Sequence, residues 1–144
     1  MSQIPKNTNG FSFVEMIIVV AIVSMLATLV IVSVQSARIS ARDSRRVSDI
    51  NEIRSALSLY YSKYNQYPTA ITPGQAFTVN SVIYLETVPH NPTPYTDNGC
   101  PNKDYDYAQT SSGLSYTLSF CLGYKQDAIT AGSNLAVPEG IVPQ

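Results

Sequence analysis

Apolar positions change their spacing twice along this chain. From Phe13 to Val34 they are nearly continuous, FVEMIIVVAIVSMLATLVIVSV, broken by one charge, Glu15, and by the small polar residues Ser24, Thr28 and Ser33. From Ser36 to Tyr64 they thin out to Val47, Ile50, Ile53, Leu57, Tyr60, Tyr61 and Tyr64. Those steps of three and four mark one face of a helix. Arg42, Asp49, Glu52 and Lys63 are expected mostly off that face. No Pro or Gly occurs from Phe11 to Tyr67, so both stretches predict one helix from about Phe11 to Tyr64. It should end at Asn65–Pro68, because Pro68 biases Tyr67 out of the helical region.

Beyond Pro68 the period shortens to two. Tyr116, Leu118, Phe120 and Leu122 alternate with Ser115, Thr117, Ser119 and Cys121, predicting a strand over Leu114–Leu122 with the first set facing the core. Asp104–Gln109 predicts a second strand, with Tyr105 and Tyr107 on one face. Thr110-Ser-Ser-Gly113 between them is a hairpin turn. Ser81–Glu86 suits a helical turn or a short strand equally. Pro89, Pro92 and Pro94 enforce an extended connection, and Ala128–Gln144, punctuated by Gly and Pro, is expected to be irregular. The fold class expected is α+β: a long N-terminal helix, membrane-spanning in its first half, packed against a small antiparallel β-sheet head. The divisions are 1–10, 11–35, 36–66 as an amphipathic continuation of the helix, and 67–144 as the head.

Composition supports a membrane segment joined to a polar domain. The 144 residues carry 9 Lys+Arg against 10 Asp+Glu, and only 13% are charged, which removes the basic footprint of a dedicated nucleic-acid binder. Met16–Val34 contains no charge, Pro or Gly, and at about 19 residues it is long enough to cross a hydrocarbon core as a helix. A secretory signal peptide fits less well, since its cleavage site would follow the apolar run and here the small residue, Gly10, precedes it. A carboxylate at the edge of such a run is a functional candidate, although Glu15 at headgroup level could simply face water. The two cysteines, Cys100 and Cys121, suit one disulfide in an exported domain, closing a loop of about 20 residues and contributing about 3 kcal/mol. Two free, partly buried thiols are the alternative.

KNTNG-FSFVEMIIVVAIVSMLA resembles the cleavage and methylation motif of type IV pilins and type II secretion pseudopilins. In that family a short polar leader ends in Gly, Phe follows, Glu stands fifth in the mature chain, and a long apolar helix comes next. The resemblance implies a leader of residues 1–10, cleavage between Gly10 and Phe11 by a prepilin peptidase, and N-methylation of Phe11. It also implies that Glu15 pairs with the N-terminal amine of a neighbouring subunit. Function is then that of a structural subunit of a pilus-like or pseudopilus filament, with itself, the peptidase, an inner-membrane assembly platform and membrane lipid as partners. The precursor would cross the cytoplasmic membrane once with its head outside, before joining a filament in the envelope or beyond the cell. Charge counting points the other way: Lys6 precedes the apolar run, whereas Arg38, Arg42, Arg45 and Arg46 follow it, which favours a cytoplasmic C-terminal side. Many pilins carry a Pro or Gly that lets the membrane half of the helix melt on assembly; this sequence has neither.

An enzyme is not indicated. His90, the one histidine, lies in a Pro-flanked loop and is expected at the surface rather than as a catalytic base. No CxxC pattern, phosphate loop or Ser/His/Asp arrangement occurs, and no cofactor is expected. Asp97, Asn98, Asp104 and Asp106 could offer oxygen ligands to calcium, which some secretion pseudopilins bind near the C-terminus. Without EF-hand-like spacing a solvated polar loop is the simpler expectation. The Arg38–Arg46 cluster is expected to meet lipid headgroups or neighbouring carboxylates before DNA, and the tyrosines at 60, 61, 64, 105, 107 and 116 to pack in the core. Two other readings stay open: a minor or tip pilin that binds DNA or a surface, and a monomeric membrane-anchored ligand-binding domain.

Overall fold

The computed structural model describes residues 10–144, apart from the side chains of Leu29, Val30 and Val32; the leader expected at residues 1–10 lies, but for Gly10, outside them. The first element is a single helix, α1 (Phe13–Tyr64). The chain divides into two compact units, Met1–Ala37 and Arg38–Gln144, and α1 contributes to both.

In the first unit no described side chain of α1 is buried. Every large apolar side chain described from Phe13 to Leu26 is at least half exposed, from 50% for Val19 to 80% for Phe13. A helix that is apolar all round and uncovered needs a non-aqueous surrounding, and this one is long and apolar enough to cross a membrane. Two of its polar interruptions are satisfied within the helix: the Ser24 hydroxyl donates to the Val20 carbonyl at 2.7 Å and Thr28 to the Met25 carbonyl at 2.8 Å. Such back-bonding leaves neither hydroxyl unpaired in a non-aqueous surrounding.

In the second unit the remainder of α1 lies against antiparallel sheet. Ile50, Ile53, Leu57 and Tyr60 are buried, with Val47, Tyr61 and Tyr64 partly so, the face that the spacing predicts. Two of the residues expected off that face are not there. Asp49 is buried and Arg42 half-buried, whereas Glu52 and Lys63 are exposed. The reason is that the apolar stripe continues backward as Arg46 and Asp43, so head loops cover that turn of the helix as well.

Residues 82–85 resolve as a strand. β1 (Phe77–Val79) and β2 (Val82–Leu85) form a hairpin closed by Asn80 and Ser81, both with positive φ, the backbone that a two-residue primed turn requires. The main sheet has the order β3 (Asp106–Thr110), β4 (Ser115–Leu122), β5 (Gly132–Val137), β6 (Gly140–Pro143), all antiparallel. Tyr116, Leu118, Phe120 and Leu122 of β4 all face the core, as their alternation predicts. β3 begins two residues later than expected, because the Asp104 carboxylate accepts from the Asn91 and Tyr105 backbone N–H groups in place of a ladder bond.

The C-terminal segment corrects the sequence reading. It is not irregular: β5 pairs with β4 (Leu118↔Ala136, Phe120↔Asn134) and β6 with β5 (Leu135↔Val142). The alternation there is inverted with respect to hydrophobicity. Asn134 and Ala136 point inward and are buried, while Leu135 and Val137 occupy the partly covered face. Asn134 is satisfied locally, its side-chain amide donating to the carbonyls of Thr130 and Gly132, both at 2.9 Å. A polar residue on the core face hides a strand from any period-two reading.

Aromatic rings fill the space between α1 and the sheet. Tyr67 lies 4.6 Å from Tyr61, stacked, and 4.8 Å from Tyr116, edge to face; Tyr60 contacts Phe77 and Tyr84, each at 5.4 Å. Those are favourable quadrupole geometries. The β3–β4 turn is docked on the end of α1: the Tyr67 N–H donates to the Gly113 carbonyl at 2.7 Å, and the Gln109 side chain to the Tyr67 carbonyl at 2.6 Å. Gly113 has φ +92, and a Cβ there would meet Gln109 Nε2 at 3.2 Å and Gln66 Cβ at 3.3 Å, so glycine is required twice over. Cys100 and Cys121 are joined as a disulfide with Cα atoms 5.7 Å apart. Cys121, on the face of β4 opposite Phe120 and Leu122, is nonetheless buried, because the bridged loop covers that end of the strand.

All ten tyrosines lie at or after Tyr60 and there is no tryptophan, so tyrosine fluorescence of the full chain in detergent reports the head alone. Urea unfolding followed this way should show Leu57→Ala costing about 2–5 kcal/mol. Leu59→Ala, at a position 58% exposed, should shift stability by no more than about 0.5 kcal/mol. Equal losses at both positions would place the core wrongly.

Candidate assembly site

Gly10, Phe11 and Ser12 precede the helix in non-helical backbone, and the Met16 N–H closes the first turn on the Ser12 carbonyl at 3.2 Å. The Gly10–Phe11 bond therefore lies outside α1 and takes part in no helical hydrogen bond. A Cβ placed on Gly10 would meet nothing within 4 Å. Phe11 is 80% exposed. Glu15 stands in the first turn of α1, where the helix dipole favours an anion. It is exposed, and its described neighbours Phe13, Val14, Met16, Ile17 and Ile18 are exposed apolar side chains. One carboxylate set in an apolar surface is costly once that surface is covered unless a cation or hydrogen-bond donors meet it.

The head holds a second polar constellation, which the sequence did not disclose. Arg46 is fully buried, yet its guanidinium reaches five oxygens. Nη1 donates to Asp43 Oδ1 at 2.7 Å and Nε to Asn91 Oδ1 at 2.8 Å; Nη2 donates to Asp97 Oδ2 at 2.9 Å and to the Pro94 and Pro92 carbonyls at 3.1 and 3.2 Å. Arg42 binds the same carboxylate in a fork, Nε to Oδ2 at 2.7 Å and Nη2 to Oδ1 at 2.6 Å. Asp43 also accepts from the Gly123 and Tyr124 N–H groups at 3.0 and 2.8 Å. Two arginines and two aspartates thus cancel with every charge hydrogen-bonded, the condition under which buried ions are tolerated. Gly123 belongs to the same arrangement, since a Cβ there would fall 2.7 Å from Ile39 Cγ2.

These contacts revise the expectations for this region. Arg42 and Arg46 are engaged inside the head and are not free for headgroups or neighbouring carboxylates; Arg38 and Arg45 are exposed. Asp97 is buried rather than solvated. Asn98 donates to the Gly123 carbonyl at 2.8 Å, Asp104 holds His90 Nδ1 at 2.6 Å besides its two backbone donors, and Asp106 is exposed near Lys103. Among the described residues no cluster of His, Cys, Asp or Glu could hold a metal ion. Calcium does not fit Asp97 in particular, because both its oxygens already accept from guanidinium groups. His90 is exposed, as its loop suggests. Tyr60, Tyr105 and Tyr116 are buried, and Tyr61, Tyr64 and Tyr107 partly so. Burial and the nearby Asp49 charge push Tyr105 far above the ordinary tyrosine range, and its hydroxyl donates to Asp49 Oδ2 at 3.0 Å.

The clamp makes acid lability predictable. The hydrogen bonds from Arg42, outweighing the effect of burial, hold the Asp97 carboxyl below its ordinary value of 3.8. A depressed carboxyl stabilises the fold above its unfolded value, and the contribution disappears as pH falls through the folded one. Asp97→Asn, which leaves Arg46 underneutralised, should therefore cost about 3–5 kcal/mol at neutral pH. The gap to the wild type should close on acidification below about pH 4. A gap that stays constant down to the lowest measurable pH would show that Asp97 contributes shape and not charge.

Comparison with known proteins adds to this geometry. The model for the prokaryotic N-terminal methylation motif matches residues 5–31. The type II secretion system core protein G of Aeromonas hydrophila is 28% identical over 94 residues, 65% of this chain and 62% of that protein. That of Dickeya chrysanthemi is 27% identical over 94 residues and is spanned over 58% of its length. The chain thus spans about three-fifths of those two relatives. The protein of the same name from Vibrio cholerae serotype O1 is 31% identical over 132 residues, covering 85% of this chain and 84% of the relative. No solved structure gives a significant match. A methylation motif on an exposed apolar helix, followed by likeness along most of a relative's length, places the chain in the type II secretion system core protein G family.

Proposed function

We propose that the chain is a structural subunit of a secretion-type pseudopilus, made as a membrane-anchored precursor and built into a filament through the first half of α1. The observation that carries this reading is the uncovered apolar surface of Phe13–Leu26 with Glu15 in its first turn, behind an accessible, non-helical Gly10–Phe11 bond. In the membrane, lipid covers that surface. In a filament, the same helices of other copies do so. Cleavage at Gly10 creates the cation that Glu15 meets on a neighbouring subunit, so processing and assembly are linked.

The disulfide supports a head outside the cytoplasm, because such bonds form and persist in oxidising compartments. This weighs against the orientation given by counting arginines. The proposed partners are further copies of the chain, a prepilin peptidase and an inner-membrane assembly platform. No cofactor or reaction enters the proposal, and nothing in the head favours nucleic acid.

Mass spectrometry of the assembled protein should find a chain beginning at N-methylated Phe11. Gly10→Lys should leave the full-length precursor in the membrane, because a bulky charged side chain replaces the small residue before the cut. Filaments made of chains that still begin at Met1 would refute the proposal.

A further inference from the structure

Arg46 lies at the centre of a cage of oxygens and not beside a single partner. Two carboxylates (Asp43, Asp97), one side-chain amide (Asn91) and two backbone carbonyls (Pro92, Pro94) surround its guanidinium at 2.7–3.2 Å. Three of these, from Pro92, Pro94 and Asp97, converge on one nitrogen, Nη2, which has only two hydrogens to give. Carboxylate, amide and carbonyl oxygens gathered around one cation are the donor types that a hard metal ion takes. Here the charge arrives covalently, on a side chain of α1.

Each of the three side chains that supply oxygens is also held by groups other than Arg46. Asn91 is fixed by its own N–H donating to Asp104 Oδ1 at 2.7 Å and its Nδ2 donating to the Lys103 carbonyl at 3.0 Å. Asp43 is fixed by the Gly123 and Tyr124 N–H groups, and Asp97 by Arg42. The cage is therefore built by Asp43 of α1 and by residues 91–97, and is braced from residues 103–104 and 123–124. We propose that Arg46 is the built-in cation of this cage, fixing the proline loop to α1 as a bound divalent ion would, so that folding of the head does not depend on metal. The proposal goes beyond the filament reading and stands or falls without it, since its tests measure only the head.

The first arm uses the wild-type chain in detergent, melted with tyrosine fluorescence in excess chelator and in millimolar calcium. Both melting temperatures should agree to within about 1 °C, since ligand binding to the native state alone would raise one of them. In the second arm Arg46→Ala should lose about 10 °C or more, the scale expected when a buried pair loses one partner in a domain of this size. Millimolar guanidinium should restore at least about a third of that loss relative to the same concentration of sodium chloride, by occupying the vacated cage. It should do nothing for Leu57→Ala, a destabilised head with no cation site. A wild-type head that melts several degrees lower in chelator, or higher in calcium, would overturn the proposal. So would an Arg46→Ala head as stable as the wild type, or a destabilised one that guanidinium fails to restore. If Arg46→Ala does not accumulate at all, the wild-type arm decides alone, because metal dependence there contradicts a built-in cation.

Discussion

Arg46 puts a full positive charge where water does not reach, and the head is organised around neutralising it. Isolating such a charge in a low-dielectric interior costs far more than the few kcal/mol of net stability a small domain has. Asp43, Asp97, Asn91 and two carbonyls consequently must come to it, from parts of the chain 45 to 51 residues away in four of these five cases. That requirement fixes the path of residues 91–99 against α1, and Cys100, at the end of that path, is bonded to β4. A purely apolar contact would hold the loop less specifically, because hydrophobic contact is non-directional whereas a guanidinium fork accepts few geometries.

The helix illustrates how much a sequence discloses and where it stops. Its extent followed from the absence of Pro and Gly, and its core face from the steps Ile50, Ile53, Leu57 and Tyr60. Continuing those steps backward lands on Arg46 and Asp43, both fully buried. The period was the available signal, and charge disguised it, because isolated charges are rarely interior. β5 was missed for a related reason. Its inward residues, Asn134 and Ala136, are polar or small, so the strand's alternation carries the wrong sign. β4 was legible because bulky apolar residues occupy each inward position. The short strand β2 could not be separated from a helical turn, since the Asn80–Ser81 turn that decides it depends on positive φ at two non-glycine residues.

The N-terminal half differs in kind. There the pattern is legible and the partners are absent. The described apolar side chains of Phe13–Leu26 stay exposed, so the stability of that stretch comes from whatever surrounds it. In lipid or among other helices, backbone hydrogen bonding is complete within the helix, and Ser24 and Thr28 bond back to it. Glu15 is the exception. It alone among the side chains from Phe13 to Thr28 carries a charge, and no interaction among the described residues accounts for it. Membership of the core protein G family and the methylation motif at residues 5–31 agree with a surface shaped for contact between copies.

The central claim is that a charge in the first turn of α1, and not apolar burial alone, commits the subunit to the filament. It is tested most directly by co-expressing Glu15→Val with the wild-type chain and measuring the ratio of the two in purified filaments against their ratio in the membrane. The account predicts that the Val variant is inserted and cleaved normally but strongly depleted from filaments, with Glu15→Asp intermediate because it keeps the charge at shorter reach. Equal ratios in membrane and filament would contradict it and reduce Glu15 to a marker of the membrane edge.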